Sequence, residues 1–217
     1  MTQLQTKAVC DPQTSLTKSL LGYGVLAGPL YVTVSLAQAL TRTGFDLSRH
    51  PWSFLSNGDL GWIQITNFVV AGLTTLAAAA GIGRATRSAW LQRLLAVYGL
   101  SLIGAGIFRA DPALGFPAGT PEVPGVITWH GTLHFVCGGI GFTCLVVACL
   151  IMARRFSGES RTGWAVYSAV SGAVFAATFV AVGSGGGAAW SNLAFVGGVL
   201  VVWTWFSLVS RHLYKRV

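Results

Sequence analysis

Six long apolar blocks constrain this chain more than any other feature. They cover residues 20–40, 60–81, 89–108, 128–153, 162–182 and 190–210. Each reaches the roughly 18 residues that suggest a bilayer span. One such block is compatible with the core helix of a soluble protein; six are not. Charged residues make up only 9% of the 217-residue chain, against about 25% in a soluble domain. Helices satisfy their own backbone hydrogen bonds in lipid. The expected fold is therefore all-α, an integral membrane six-transmembrane-helix bundle over residues 20–210. Residues 1–19 are expected to form an N-terminal tail and residues 211–217 a C-terminal one.

The charge pattern orients the bundle. The net charge of +8 does not point to a nucleic-acid partner, because the basic residues fall in short clusters between apolar blocks. An even number of spans puts both termini on one side. That side carries Lys7, Lys18, Arg84, Arg87, Arg93, Arg154, Arg155, Arg161, Arg211, Lys215 and Arg216, and the other carries only Arg42, Arg49 and Arg109. The positive-inside rule then predicts cytoplasmic termini. The acids Asp46, Asp59, Asp111 and Glu122 fall on the outer side. The stretch before the first block lacks the short apolar region and cleavage site of a signal peptide.

Local signals fill in the bundle. Pro29 is expected to kink the first span. The segments GGIG (138–141), AGIG (80–83) and FVGG (195–198) allow close helix approach. Trp62, Trp129 and Trp190 each open an even-numbered span and fit an aromatic belt, or a faint threefold repeat of helical hairpins. Of the four cysteines, Cys10 lies in the tail and Cys137, Cys144 and Cys149 share one span. No disulfide framework of the loops is available to them, and buried free thiols are expected.

Chemistry-bearing residues gather at the outer end. The stretch WHGTLHFVCGG places His130 and His134 four apart, on one helix face within the first two turns of span four. The outer segments add His50, Ser53, Asp59, Arg109 and Asp111, and span two adds Asn67 at similar depth. Polar groups at membrane depth usually face the bundle or a cavity. Several readings stay open. The histidines, with His50, Asp59 or Asp111, suit a zinc site. An imidazole oriented by an aspartate is a general base, with Ser53 as its nucleophile. The same groups equally suit a structural network pinning the outer loops, or a binding cavity for a lipid or small ligand. No HExxH, Walker or dinucleotide motif is present. The two histidines of one helix cannot grip a haem iron from both sides.

The segments TGFDLSRHPWSFLSNGDLGWIQITNFVVAGL, IFRADP and WHGTLHFVCGG resemble a prokaryotic six-span membrane family known as domain of unknown function 998. The family's His-Pro-x-Ser-x-Leu pattern matches His50, Pro51, Ser53 and Leu55. Its Asp-Pro exit from span three matches Phe108, Asp111 and Pro112, and its histidine opening span four matches His130. The resemblance covers about residues 20–210. It implies a multi-pass protein of a prokaryotic plasma membrane, without an assigned activity. A more distant similarity is to intramembrane hydrolases of the ceramidase and progestin-receptor type, whose bundle has seven spans. It implies Ser53, Asp111 and His130 as catalytic residues and His50, His130, His134 and Asp111 around zinc. The resulting expectation is an integral membrane protein in contact with membrane lipids. An outward polar vestibule between spans two, three and four, with Asp59, Asn67 and Arg109 in it, would take a lipid-like or small amphiphilic ligand. The alternative is a zinc-dependent intramembrane amide or ester hydrolase acting on a lipid.

Overall fold

A computed structural model of the protein describes residues 11–123 and 126–217. Six helices follow in order: α1 (Pro12–Thr41), α2 (Gly61–Thr86), α3 (Ala89–Ile107), α4 (Trp129–Gly158), α5 (Thr162–Ser184) and α6 (Ala189–Tyr214). All six are long and apolar enough to cross a membrane. The protein is an all-α, six-span membrane bundle, as the apolar blocks predict.

The helices overrun those blocks. α1 starts at Pro12, eight residues before the apolar run, because Asp11 caps it. The Asp11 carboxylate accepts from the Thr14 backbone N–H at 3.2 Å, and Pro12 occupies the first turn, where no donor is needed. Much of the stretch expected as a tail is therefore helix. Lys7 and Cys10 lie outside the described residues. Pro29 does not end α1, which runs through it with the ring on an exposed face. α4 and α6 extend into their basic ends, where Arg155, Arg211 and His212 meet the negative end of the helix dipole. The α1–α2 connection holds a short 3₁₀ helix, Trp52–Ser56, which the sequence pattern does not announce.

Each helix packs on its neighbours in sequence, and α1 packs on α6 to close a ring. A small residue sits at every seam: Gly81 against Leu20 and Leu21, Gly72 against the Gly99 carbonyl, Gly141 against Ser101, Gly172 against Cys149, Gly198 against Thr178, and Gly28 against the Trp203 backbone. A first side-chain carbon at any of these would come within 3.0 Å of its neighbour. Lipid offers little hydrophobic drive for association, so backbone approach supplies the packing.

A ring of six helices leaves a centre to fill. With neighbouring axes about 8–10 Å apart, opposite axes stand roughly twice that apart. Aromatic side chains fill the middle and the half nearer the termini. Tyr31 stacks on Trp203 at 5.0 Å, Tyr98 lies 5.8 Å from Trp203, and the Trp205 indole donates to the Ser168 hydroxyl at 3.0 Å. The half away from the termini, called distal below, is not filled.

Candidate functional site

The distal polar residues work mainly as anchors for the two long connections. Arg42, just past α1, donates to the Leu55 carbonyl and, at 2.6 Å, to the Asn57 carbonyl, with its guanidinium 5.0 Å from the Phe116 ring centre. Burial lowers its pKa, and the charge of Asp59 partly offsets this. Asn57 in turn donates to the Ala110 carbonyl at 3.0 Å. His50 is buried among Phe45, Phe54 and Phe116. Its Nδ1 accepts from the Asp46 backbone N–H at 2.9 Å, which fixes the proton on Nε2. Nε2–H then donates to the Leu114 carbonyl at 2.9 Å.

Asp111 starts α4. Its carboxylate accepts from the Thr128 backbone N–H at 2.8 Å and the Thr128 hydroxyl at 2.6 Å, while Thr128 caps the Gly131 N–H at 3.2 Å. His130 and His134 share a side of α4 but not an environment. His130 is exposed and lies against Trp129, with ring centres 3.6 Å apart. His134 is buried, and its Nδ1–H is shared between the carbonyls of Phe108 at 2.8 Å and Ala105 at 3.1 Å. Asn67 belongs to an amide cluster between α1 and α2. It donates to the Tyr31 carbonyl and the Ser35 hydroxyl, both at 3.1 Å, beside a Gln38–Gln64 bond of 2.8 Å. Asp59 and Arg109 are exposed.

These positions do not gather a zinc set. Both nitrogens of His50 and both oxygens of Asp111 are committed to other partners. Among the described residues no three His, Cys, Asp or Glu side chains come together as metal ligands. No hydrogen bond joins the Ser53 hydroxyl to His50 or His130 among those residues, so a charge-relay arrangement is not formed either. The donor set does not fit the metal.

A different site lies at the ring's centre. A cavity of about 590 Å³ opens in the distal half, within the size range of small-molecule sites and, like them, mainly apolar. Its floor is Tyr98, Phe142, Phe175 and Trp203; its distal wall is Arg49, Trp52, Ser53 and Leu114; its sides include His134, Asn192 and Phe195. The Phe142 ring fits between Phe175 and Phe179, at 5.0 and 5.1 Å. The cavity also reaches the bundle surface between α4 and α5. Phe135 and Val180 line it, yet are 61% and 66% exposed. α4 and α5 close tightly at Cys149 and Gly172 but part distally. At Gly139 and Gly183, which also line the cavity, an added side-chain carbon would meet none of the described residues within 4 Å.

Of the residues singled out in the sequence, Ser53 and His134 line this cavity; His50, Asp59, Asn67, Arg109, Asp111 and His130 do not. Trp52 and Asn192 were not among the candidates. Each has a sealed polar atom without a hydrogen-bond partner among the described residues, Trp52 Nε1 and Asn192 Oδ1. Asn192 carried a weak signal as the polar group after the belt residue Trp190; Trp52 carried none. At the rim Arg49 pairs with Glu122 at 2.7 Å, and that bond raises the Arg49 pKa. Asp46 beside it is held below its ordinary value by the hydroxyl and backbone N–H of Ser48.

A family model described as "Protein of unknown function (DUF998)" matches residues 25–212. No curated protein and no solved structure matches.

Proposed function

The chain belongs to the DUF998 family, and on that premise we propose that this integral membrane protein binds a lipid-like or small amphiphilic molecule in its central cavity. The bundle stands with both termini in the cytoplasm and the cavity in the outer leaflet. The supporting observation is the cavity itself, apolar for most of its wall and flanked by exposed residues of α4 and α5. A ligand reaching it between those helices never has to leave the bilayer. The preponderance of basic residues at the terminal end supports the orientation.

Native mass spectrometry of the full chain released from its membrane tests the reading. The expected result is one retained amphiphile per chain, displaced by added single-chain amphiphiles. A chain that carries none and takes up none would overturn it.

A further inference from the structure

The cavity is long, and it carries charge at one end only. Resting on the reading of the cavity as a ligand site, we infer that its ligand is a single-chain anionic amphiphile. The alkyl chain lies along the cavity, and a carboxylate or phosphate head sits on Arg49 at the distal end.

The length follows from α6. Its lining residues run from Ser191 to Trp203, about 18 Å at the rise of an α-helix. The Asn192 side chain donates to the Leu47 carbonyl at 2.9 Å, which sets the turn at residues 47–49 beside the start of α6. Arg49 therefore stands at one end of the cavity, with the aromatic floor of Tyr98, Phe142 and Trp203 at the other. The mainly apolar wall between them suits methylene groups and penalises a buried charge. An extended chain with its charge at one tip fits that distribution.

The sign of the charge follows from Arg49, the one Lys, Arg, Asp or Glu among the described lining residues. Its side chain is 44% exposed, so the guanidinium is reachable. One terminal nitrogen donates to Glu122 at 2.7 Å; the other donors have no hydrogen-bond partner among the described residues. The Glu122 side chain is 71% exposed. An ion pair this exposed contributes little, and water takes back a displaced Glu122 carboxylate at small cost. A ligand carboxylate or phosphate can then take the guanidinium fork with two parallel bonds. Asp46 is not in the lining, and its carboxylate is turned onto the Ser48 N–H and hydroxyl at 2.8 and 2.7 Å. A cationic head would meet Arg49 first and find no acid in the wall. An uncharged head gains no ion pair there.

The test uses the full chain in zwitterionic nanodiscs, at mildly alkaline pH so that the carboxylate is ionised. Four probes share one chain length: dodecanoate, dodecyl phosphate, 1-dodecanol and dodecylammonium. Binding is read as a shift in melting temperature and by native mass spectrometry. The two anions are expected to bind about tenfold more tightly than 1-dodecanol, as one charge-assisted contact allows, and dodecylammonium more weakly than the alcohol. Inorganic phosphate alone is expected to leave the melt unshifted, because the alkyl chain supplies most of the affinity. Arg49→Gln is expected to bring both anions down to the level of 1-dodecanol and to leave the alcohol unchanged, which also shows that the cavity is intact. Glu122→Gln removes the competing carboxylate and is expected to tighten both anions about threefold.

Anion affinity unaltered in Arg49→Gln would overturn the inference, as would 1-dodecanol or dodecylammonium matching the anions. Inorganic phosphate shifting the melt as far as dodecyl phosphate would overturn the amphiphile in favour of a free anion. Equal binding of all four amphiphiles would leave the cavity as a ligand site and remove the preference for a negative head. Failure of all four to bind would remove the ligand site itself, and this inference with it.

Discussion

The His50 Nε2–H group donates to the Leu114 carbonyl at 2.9 Å, across 64 positions of sequence. This bond, with Asp46 N–H on the other ring nitrogen, ties the α1–α2 connection to the α3–α4 connection over a small aromatic core of Phe54 and Phe116. The two loops roof the cavity together, so a histidine that suits a zinc site in the sequence serves here as a rivet.

His50→Ala is expected to lower stability by about 2–4 kcal/mol, because it strands a backbone donor and acceptor and opens a gap among aromatic rings. The drop is measured by thermal unfolding in detergent. Wild-type melting is expected to be the same with and without a strong chelator. A chelator-sensitive melt in wild type that His50→Ala abolishes would instead put a metal on the imidazole.

Asp111 and Thr128 act as one cap on α4. Asp111→Ala or Thr128→Ala alone is expected to cost about 1–2 kcal/mol. The double substitution is expected to cost clearly less than the sum, since each removes the other's partner. Additive losses in a denaturation cycle would mean that the two side chains act separately. Gly131→Ala should disturb the same cap, because its new carbon would run into the Asp111 carboxylate.

How much of this was legible in the sequence follows from what each feature depends on. The six spans depend on local apolarity, and the seams on small residues such as Gly141 and Gly198, so both were readable. The start of α1 was missed because its first turns are polar; Asp11 followed by Pro12 was the available sign. His134 and Asp111 stood out correctly as polar groups needing partners. Those partners are the carbonyls of Phe108 and Ala105 and the N–H and hydroxyl of Thr128, and no residue type announces a backbone partner. Trp52 and Asn192 meet at the cavity only because a ring of six helices leaves its centre partly empty, which is a property of the whole assembly.

Glu159 gathers Arg155, Arg161 and Arg216 at 3.0, 3.7 and 2.8 Å. The Arg216 hydrogen bond, followed by the charges of all three, holds its pKa below the ordinary glutamate value. A depressed carboxylate pKa means that the contribution to stability is present above the unfolded value and is lost as pH falls through the folded one. Glu159→Gln is therefore expected to melt lower than wild type at neutral pH, by about 1 kcal/mol or less given the partial exposure. The gap should close in strong acid and shrink in high salt. A gap unchanged at low pH would assign the effect to packing.

Orientation is tested by cysteine labelling in intact cells, starting from a version with the native cysteines replaced. Ala118→Cys lies in the α3–α4 connection and Ser160→Cys in the α4–α5 connection, both at exposed positions. With cytoplasmic termini, a membrane-impermeant maleimide reacts with Ala118→Cys at once and with Ser160→Cys only after the cells are opened. The reverse order would invert the bundle and place the cavity in the inner leaflet.

Access between α4 and α5 makes a contrast among glycines that are alike in sequence. Gly139 and Gly183 lie where those helices part, and a side-chain carbon there meets no neighbour among the described residues within 4 Å. Gly141 and Gly172 lie where α4 presses on α3 and α5, and a carbon there would stand 2.6 Å from Ser101 or 2.8 Å from Cys149. Gly139→Leu and Gly183→Leu should leave the fold intact, even gaining up to about 1 kcal/mol from better helix propensity. They should nonetheless slow uptake of a fluorescent single-chain lipid several-fold, because the leucines narrow the lateral opening. Gly141→Leu and Gly172→Leu should cost more than about 2 kcal/mol through overpacking. Uptake that stays at the wild-type rate in the stable Gly139→Leu and Gly183→Leu proteins would rule out access between α4 and α5.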